Sequence, residues 1–135
     1  MKLRWWRLAW RYPCRWIEKA RRDVRAAELV IGEELYDEAA FHSQQAVEKA
    51  LKALIVAKGL RAPKTHDIDF LLSILRRTGI EVTWDEKLSN LTRYAVEMRY
   101  PGLSADREEA LEALETAKRV VEWAKEKLRE MGIEC

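Results

Sequence analysis

Apolar residues recur at steps of three and four along nearly the whole chain after residue 16, the period of helices with one face turned inward. Ile17, Ala20, Val24, Ala27 and Ile31 predict a first helix closed by Gly32. A second, alanine-rich helix is predicted from about Tyr36 to Lys58, with Ala40, Gln44, Val47, Leu51 and Leu54 on one side and Gly59 as the stop. Thr65 is placed to cap a third helix whose first turn carries Asp67 and Asp69 and whose buried face is Ile68, Leu71, Leu72 and Leu75. A fourth is predicted from Trp84, through Leu88, Leu91, Ala95 and Met98, ending near Arg99 because Pro101 disfavours helical geometry at Tyr100. Ser104 is the expected cap of the last, which lines up Ala110, Leu114, Ala117, Val121, Ala124, Leu128 and Met131. Short connections between such helices predict an all-α, up-and-down bundle of four to five antiparallel helices.

Composition changes this picture mainly at the N-terminus. A chain of 135 residues with 48% hydrophobic and 36% charged side chains is one domain with one real core and a heavily charged surface. Asn90 is the single asparagine and Gln44 and Gln45 are the only glutamines, a bias that points to a thermophilic source. The net charge of +2 is unevenly spread. Lys2, Arg4, Arg7, Arg11 and Arg15 all precede the first acid, Glu18, so the remainder is mildly acidic. The chain therefore divides into a basic, aromatic leader over residues 1–15 and a bundle over residues 16–135, with Pro13 limiting helical continuity between them. Arg7 and Arg11 interrupt the leader's apolar residues, so it fails as a signal peptide and no transmembrane segment is present. A cytoplasmic protein is expected. Cys14 and Cys135 have neither metal-ligand spacing nor a disulfide framework and read as free thiols.

The candidate chemistry is sparse. Glu48 and Lys52 stand at i,i+4 on the second helix, in a stripe with Phe41, Gln45 and Ile55. They form either a solvated or interfacial ion pair or a polar floor for a nucleotide or RNA phosphate. Gln44 falls in the apolar stripe, where a buried amide needs a polar partner. His66 is either a structural hydrogen-bond donor or a general base, and His42 has a weaker claim to a role. Arg93 can pair with Glu97, and Arg99 with Tyr100 can hold a phosphate and stack a base, or Arg99 can serve the helix C-terminus. In the leader, Arg4, Arg7, Arg11 and Arg15 alternate with Trp5, Trp6, Trp10, Tyr12 and Trp16. Such a segment can bind RNA, lie on an interface or pack against a partner protein. No metal site and no cofactor is expected from two histidines and scattered acids.

The run Tyr36-Asp-Glu-Ala-Ala-Phe-His-Ser-Gln-Gln-Ala-Val-Glu-Lys-Ala-Leu-Lys-Ala-Leu54, with Ala20-x-x-Asp23 before it and Lys64-Thr-His-Asp-Ile68, Arg93-Tyr94 and Arg99-Tyr-Pro101 after it, resembles the HEPN domain family from about Trp16 to Met131. The resemblance implies a four- or five-helix bundle, commonly a homodimer, often encoded beside a small nucleotidyltransferase in toxin-antitoxin-like pairs. Many members are ribonucleases, carrying an Arg followed four to six residues later by a His at the start of a late helix. Here the matching Arg93 is followed by Tyr94-Ala-Val-Glu-Met-Arg-Tyr100, without a His. Arg61 and His66 have the right separation but fall in a connector, outside the structural context of that motif. No catalytic residue is therefore assigned. The expected function is a binding and interaction module that contacts nucleotide or RNA through Glu48, Lys52, His66, Arg93, Arg99 and Tyr100. The alternative is a metal-independent ribonuclease with a nonstandard Arg/His set.

Overall fold

The computed structural model describes residues 2–84, 88–97 and 100–135, with side chains from residue 12 onward except that of residue 96. Its helices are α1 (Lys2–Ile31), α2 (Tyr36–Ala57), α3 (Ile68–Arg77), α4 (Thr92–Val96) and α5 (Arg107–Glu130). No strand occurs among the described residues, so the fold is all-α. Helix α2 is central: it packs along α1, then against α5, and touches α3 and α4. Its small side chains explain why. Ala39, Ala40, Ala46, Ala50 and Ala53 are all fully buried, which lets neighbouring backbones approach closely, while Val47, Leu51, Leu54 and Ile55 fill the core between them. The chain leaves α2 at Gly59, whose φ of 80° is open to glycine at little cost.

The predicted inward faces match the buried residues of α1, α3 and α5. Ile17, Ala20 and Ala27, then Leu71, Leu72 and Leu75, then Ala110, Ala117, Val121, Ala124 and Leu128 are all buried. Helix ends differ in detail. Asp67, not Thr65, caps α3 by accepting from the Phe70 N–H, while Thr65 Oγ1 accepts from the Asp67 N–H. Asp106, not Ser104, caps α5 in a reciprocal box with Glu109. In both cases the cap falls two residues later than expected, on an Asp whose carboxylate accepts from the N–H three residues on. The start of α5 is further fixed by Asp37, which accepts from the Ala105 N–H at 2.5 Å and so ties it to the first turn of α2. The predicted fourth helix is interrupted where it is described: Leu88 and Ser89 are helical, Asn90 and Leu91 form a turn, and the helix resumes over Thr92–Val96. Thr92 Oγ1 accepts from the Ile68 N–H, locking α4 to the first turn of α3.

Two expectations for the N-terminus are overturned. Helix α1 runs straight through Pro13 rather than starting after it. An interior proline forfeits one backbone hydrogen bond, at a cost of about 3 kcal/mol, but Pro13 is buried here and its neighbour is covalently held. Cys14 is not a free thiol: it is bonded to Cys135, with Cα atoms 5.2 Å apart, so the last residue of the chain is clamped to α1. The segment from Tyr12 onward thus belongs to the folded bundle, and removing residues 1–15 would remove the clamp with it. No helix among the described residues is long and apolar enough to cross a membrane.

Candidate functional site

Glu48 is the centre of a polar network at the heart of α2. Its Oε1 accepts from Lys52 Nζ at 2.7 Å. Its Oε2 lies 3.0 Å from His66 Nδ1 and accepts from Gln44 Nε2 at 3.2 Å and, more weakly, from Gln45 Nε2 at 3.4 Å. Gln44 is fully buried, and its own carbonyl accepts from Gln45 at 2.7 Å. The i,i+4 spacing predicts the Glu48–Lys52 pair, but not its depth: the two side chains are 6% and 8% exposed, so this is a buried ion pair and not a solvated one. Other elements close over it. Lys52 Nζ stands 5.7 Å from the centroid of the Trp16 ring of α1, and His66 comes from the connector before α3.

Burial alone would push the Glu48 carboxyl up, but hydrogen bonds from Lys52 and His66, the Lys52 charge and the Gln44 amide outweigh it and hold the group below its ordinary value. A carboxylate so supported stays ionised and acts as a fixed anchor for Lys52 and the His66 ring. The His66 side chain is 53% exposed, so its Nδ1 is oriented by the carboxylate while the ring remains accessible to solvent. Chemically, the cluster can present an oriented imidazole at the surface beside a neutralised ion pair. Among the described residues no three His, Cys, Asp or Glu converge as metal ligands.

Arg93 is placed elsewhere and engaged differently. Its guanidinium is ion-paired with Glu109 at the start of α5, bonds the Tyr94 hydroxyl at 3.3 Å and lies 5.0 Å over the Tyr94 ring. The Tyr94 hydrogen bond and the Glu109 carboxylate both raise the pKa of this already permanently charged group. The small cleft beside it, 230 Å³, is lined by Asn90, Arg93, Tyr94, Glu109 and Glu112, so acids outnumber the cation there. Arg93 does not pair with Glu97 as its spacing suggested. Tyr100 is 61% exposed, and Arg99 lies outside the described residues. The structure thus brings Gln44, Glu48, Lys52 and His66 together, while no described contact joins Arg93 or Tyr100 to them.

A second polar cluster escaped the sequence reading. Asp23 of α1 accepts from Lys49 Nζ at 2.5 Å and stands 3.0 Å from His42 Nδ1, both on α2. The Asp is only 9% exposed. Asp23 closes the Ala20-x-x-Asp23 motif, yet its partners sit on another helix, where no spacing rule reaches. Asp23 pins α1 to α2 through charge as Ile17 and Ala20 do through packing.

The HEPN domain model matches residues 14–128. A Methanocaldococcus jannaschii protein named "Putative toxin MJ1304" is 28% identical over 137 aligned positions, covering 89% of this chain and 90% of its own length. The crystal structure of TT1696 from Thermus thermophilus superimposes with a TM-score of 0.77 at 32% identity, covering 86% of this chain and 98% of that one. The structure of ST0689, an archaeal HEPN homologue, gives a TM-score of 0.72 at 26% identity over 86% of this chain and 97% of that one. The match spans the whole bundle from Cys14 through α2 and most of α5, and the chain belongs to the HEPN domain family.

Proposed function

We propose that the chain is a HEPN-type interaction module, a homodimer that partners a small nucleotidyltransferase in a toxin-antitoxin-like pair and binds nucleotide or RNA. The observation that carries this reading is the state of Arg93. In the ribonuclease pattern its counterpart is followed by a His, whereas here no His follows before Tyr100 and the guanidinium is held by Glu109 and Tyr94. An arginine so engaged serves to fix α4 against α5. The naming of the M. jannaschii relative as a toxin supports membership in a paired system. Dimerisation is supported by membership in the HEPN family, whose domains commonly pair.

A second reading has its own observation. The Glu48 carboxylate orients His66 through Nδ1 at 3.0 Å, the arrangement that readies an imidazole for proton transfer. A metal-independent ribonuclease built on His66 is therefore the alternative. Co-expression with the product of an adjoining nucleotidyltransferase reading frame, followed by purification through a tag on one partner and sedimentation, tests the first reading. The expected result is a stable complex, and a dimer of this chain when it is purified alone. A monomer at micromolar concentration that fails to retain the nucleotidyltransferase would contradict it.

A further inference from the structure

On α1, Tyr12, Arg15, Trp16 and Lys19 are spaced three, one and three apart, which is a single stripe on a helix. With Lys49 of α2 they line an open cleft of 410 Å³, a volume within the range of about 300–1,000 Å³ usual for small-molecule sites. The two rings stand one turn apart, and the two cations stand one turn apart beside them. Tyr12 is 51% exposed, and Arg15 and Lys19 are exposed with no hydrogen-bond or ion-pair partner among the described residues. The floor is fixed: the Trp16 ring has Lys52 on it, Lys49 is held by Asp23, and Cys14 is bonded to Cys135.

We infer that this cleft is a binding site for a nucleoside phosphate, either free or as a unit of a single RNA strand. Flat rings take the base by stacking, which tolerates any base because each has a π-face. Arg15, a planar fork of donors, and Lys19 take the phosphate. An acidic peptide would use the cations but leave the aromatic pair without a purpose, so the combination favours a ligand that is anionic at one end and aromatic at the other. The site is separate from Arg93 and meets the Glu48 network only through the Trp16–Lys52 contact; the inference rests on the nucleotide- or RNA-binding part of the proposed function and gives it a location.

Calorimetry on the full, oxidised chain with AMP, adenosine and inorganic phosphate, and anisotropy with a labelled single-stranded RNA, test the inference. Tyr12→Ala and the double variant Arg15→Ala/Lys19→Ala alter only exposed side chains, and circular dichroism checks that they fold. AMP or the RNA should bind the parent, adenosine and phosphate alone at least tenfold more weakly, and each variant should lose about tenfold or more. For RNA the double variant should also flatten the salt dependence, by about 0.7 in the log–log slope per cation removed. Tight AMP binding identifies the free nucleotide as the ligand, and tight RNA binding without AMP binding identifies the strand. Absence of binding by both probes, equal affinity for adenosine and AMP, or binding unchanged in both variants overturns the inference. RNA binding lost in Arg93→Ala and retained in the cleft variants would overturn it while leaving the interaction-module reading intact.

Discussion

Replacing Glu48 by Gln should destabilise the protein by about 3–5 kcal/mol, the penalty for leaving one member of a buried ion pair without its partner. The side chain keeps its size, so no cavity contributes. What changes is that Lys52, 8% exposed, loses the negative charge 2.7 Å away and keeps only a neutral amide oxygen and the Trp16 face. The double variant Glu48→Gln/Lys52→Met removes both charges and should recover much of the loss, because the cost lies in the uncompensated ammonium and not in the pair as such. Urea titrations of the three proteins measure this. The pH dependence follows from the same group. The folded carboxyl titrates below its ordinary value of 4.5, so its contribution is fully present above that pH and is lost as pH falls through the folded value. The parent should therefore lose stability in that acid window more steeply than Glu48→Gln. Equal stability of parent and Glu48→Gln at neutral pH would show that the network contributes nothing to the fold.

Reducing the Cys14–Cys135 bond should have a comparable effect. The cross-link spans 121 residues, nearly the whole chain, and the chain-entropy account puts the stabilisation from closing so long a loop at up to ~5 kcal/mol. For a domain of this size that corresponds to a fall in Tm on the order of 15 °C. Calorimetry with and without a phosphine reductant, with Cys14→Ser and Cys135→Ser as matched controls, reads it directly. Both variants should melt where the reduced parent does, and reductant should leave them unchanged. A parent whose Tm ignores the reductant would mean the bridge does not hold the ends together in solution.

These two features mark the boundary of what the sequence discloses. The inward faces of α1, α2, α3 and α5 are legible because each is a local periodicity. Glu48 and Lys52 are legible as a pair for the same reason, but their burial depends on Trp16 and His66, which arrive from other elements. The disulfide is invisible to spacing because only the packing of α1 beside the chain's end brings the two sulfurs together. Asp23 with Lys49 and Arg93 with Glu109 are likewise pairings across elements. Spacing instead offered Arg93 a partner in Glu97 on the same helix, and the tertiary partner won. Pro13 misled in the opposite sense, since a local rule against interior prolines was overridden where burial and a covalent neighbour hold the helix in place.

The binding role proposed for this HEPN bundle leaves Arg93 structural and His66 an anchored surface imidazole. Incubating the purified chain with end-labelled RNA in the presence of a chelator, beside Arg93→Ala and His66→Ala, tests that role most directly. Intact RNA is expected for all three proteins over hours. Metal-independent cleavage by the parent that disappears in His66→Ala or Arg93→Ala would contradict it and establish the ribonuclease instead.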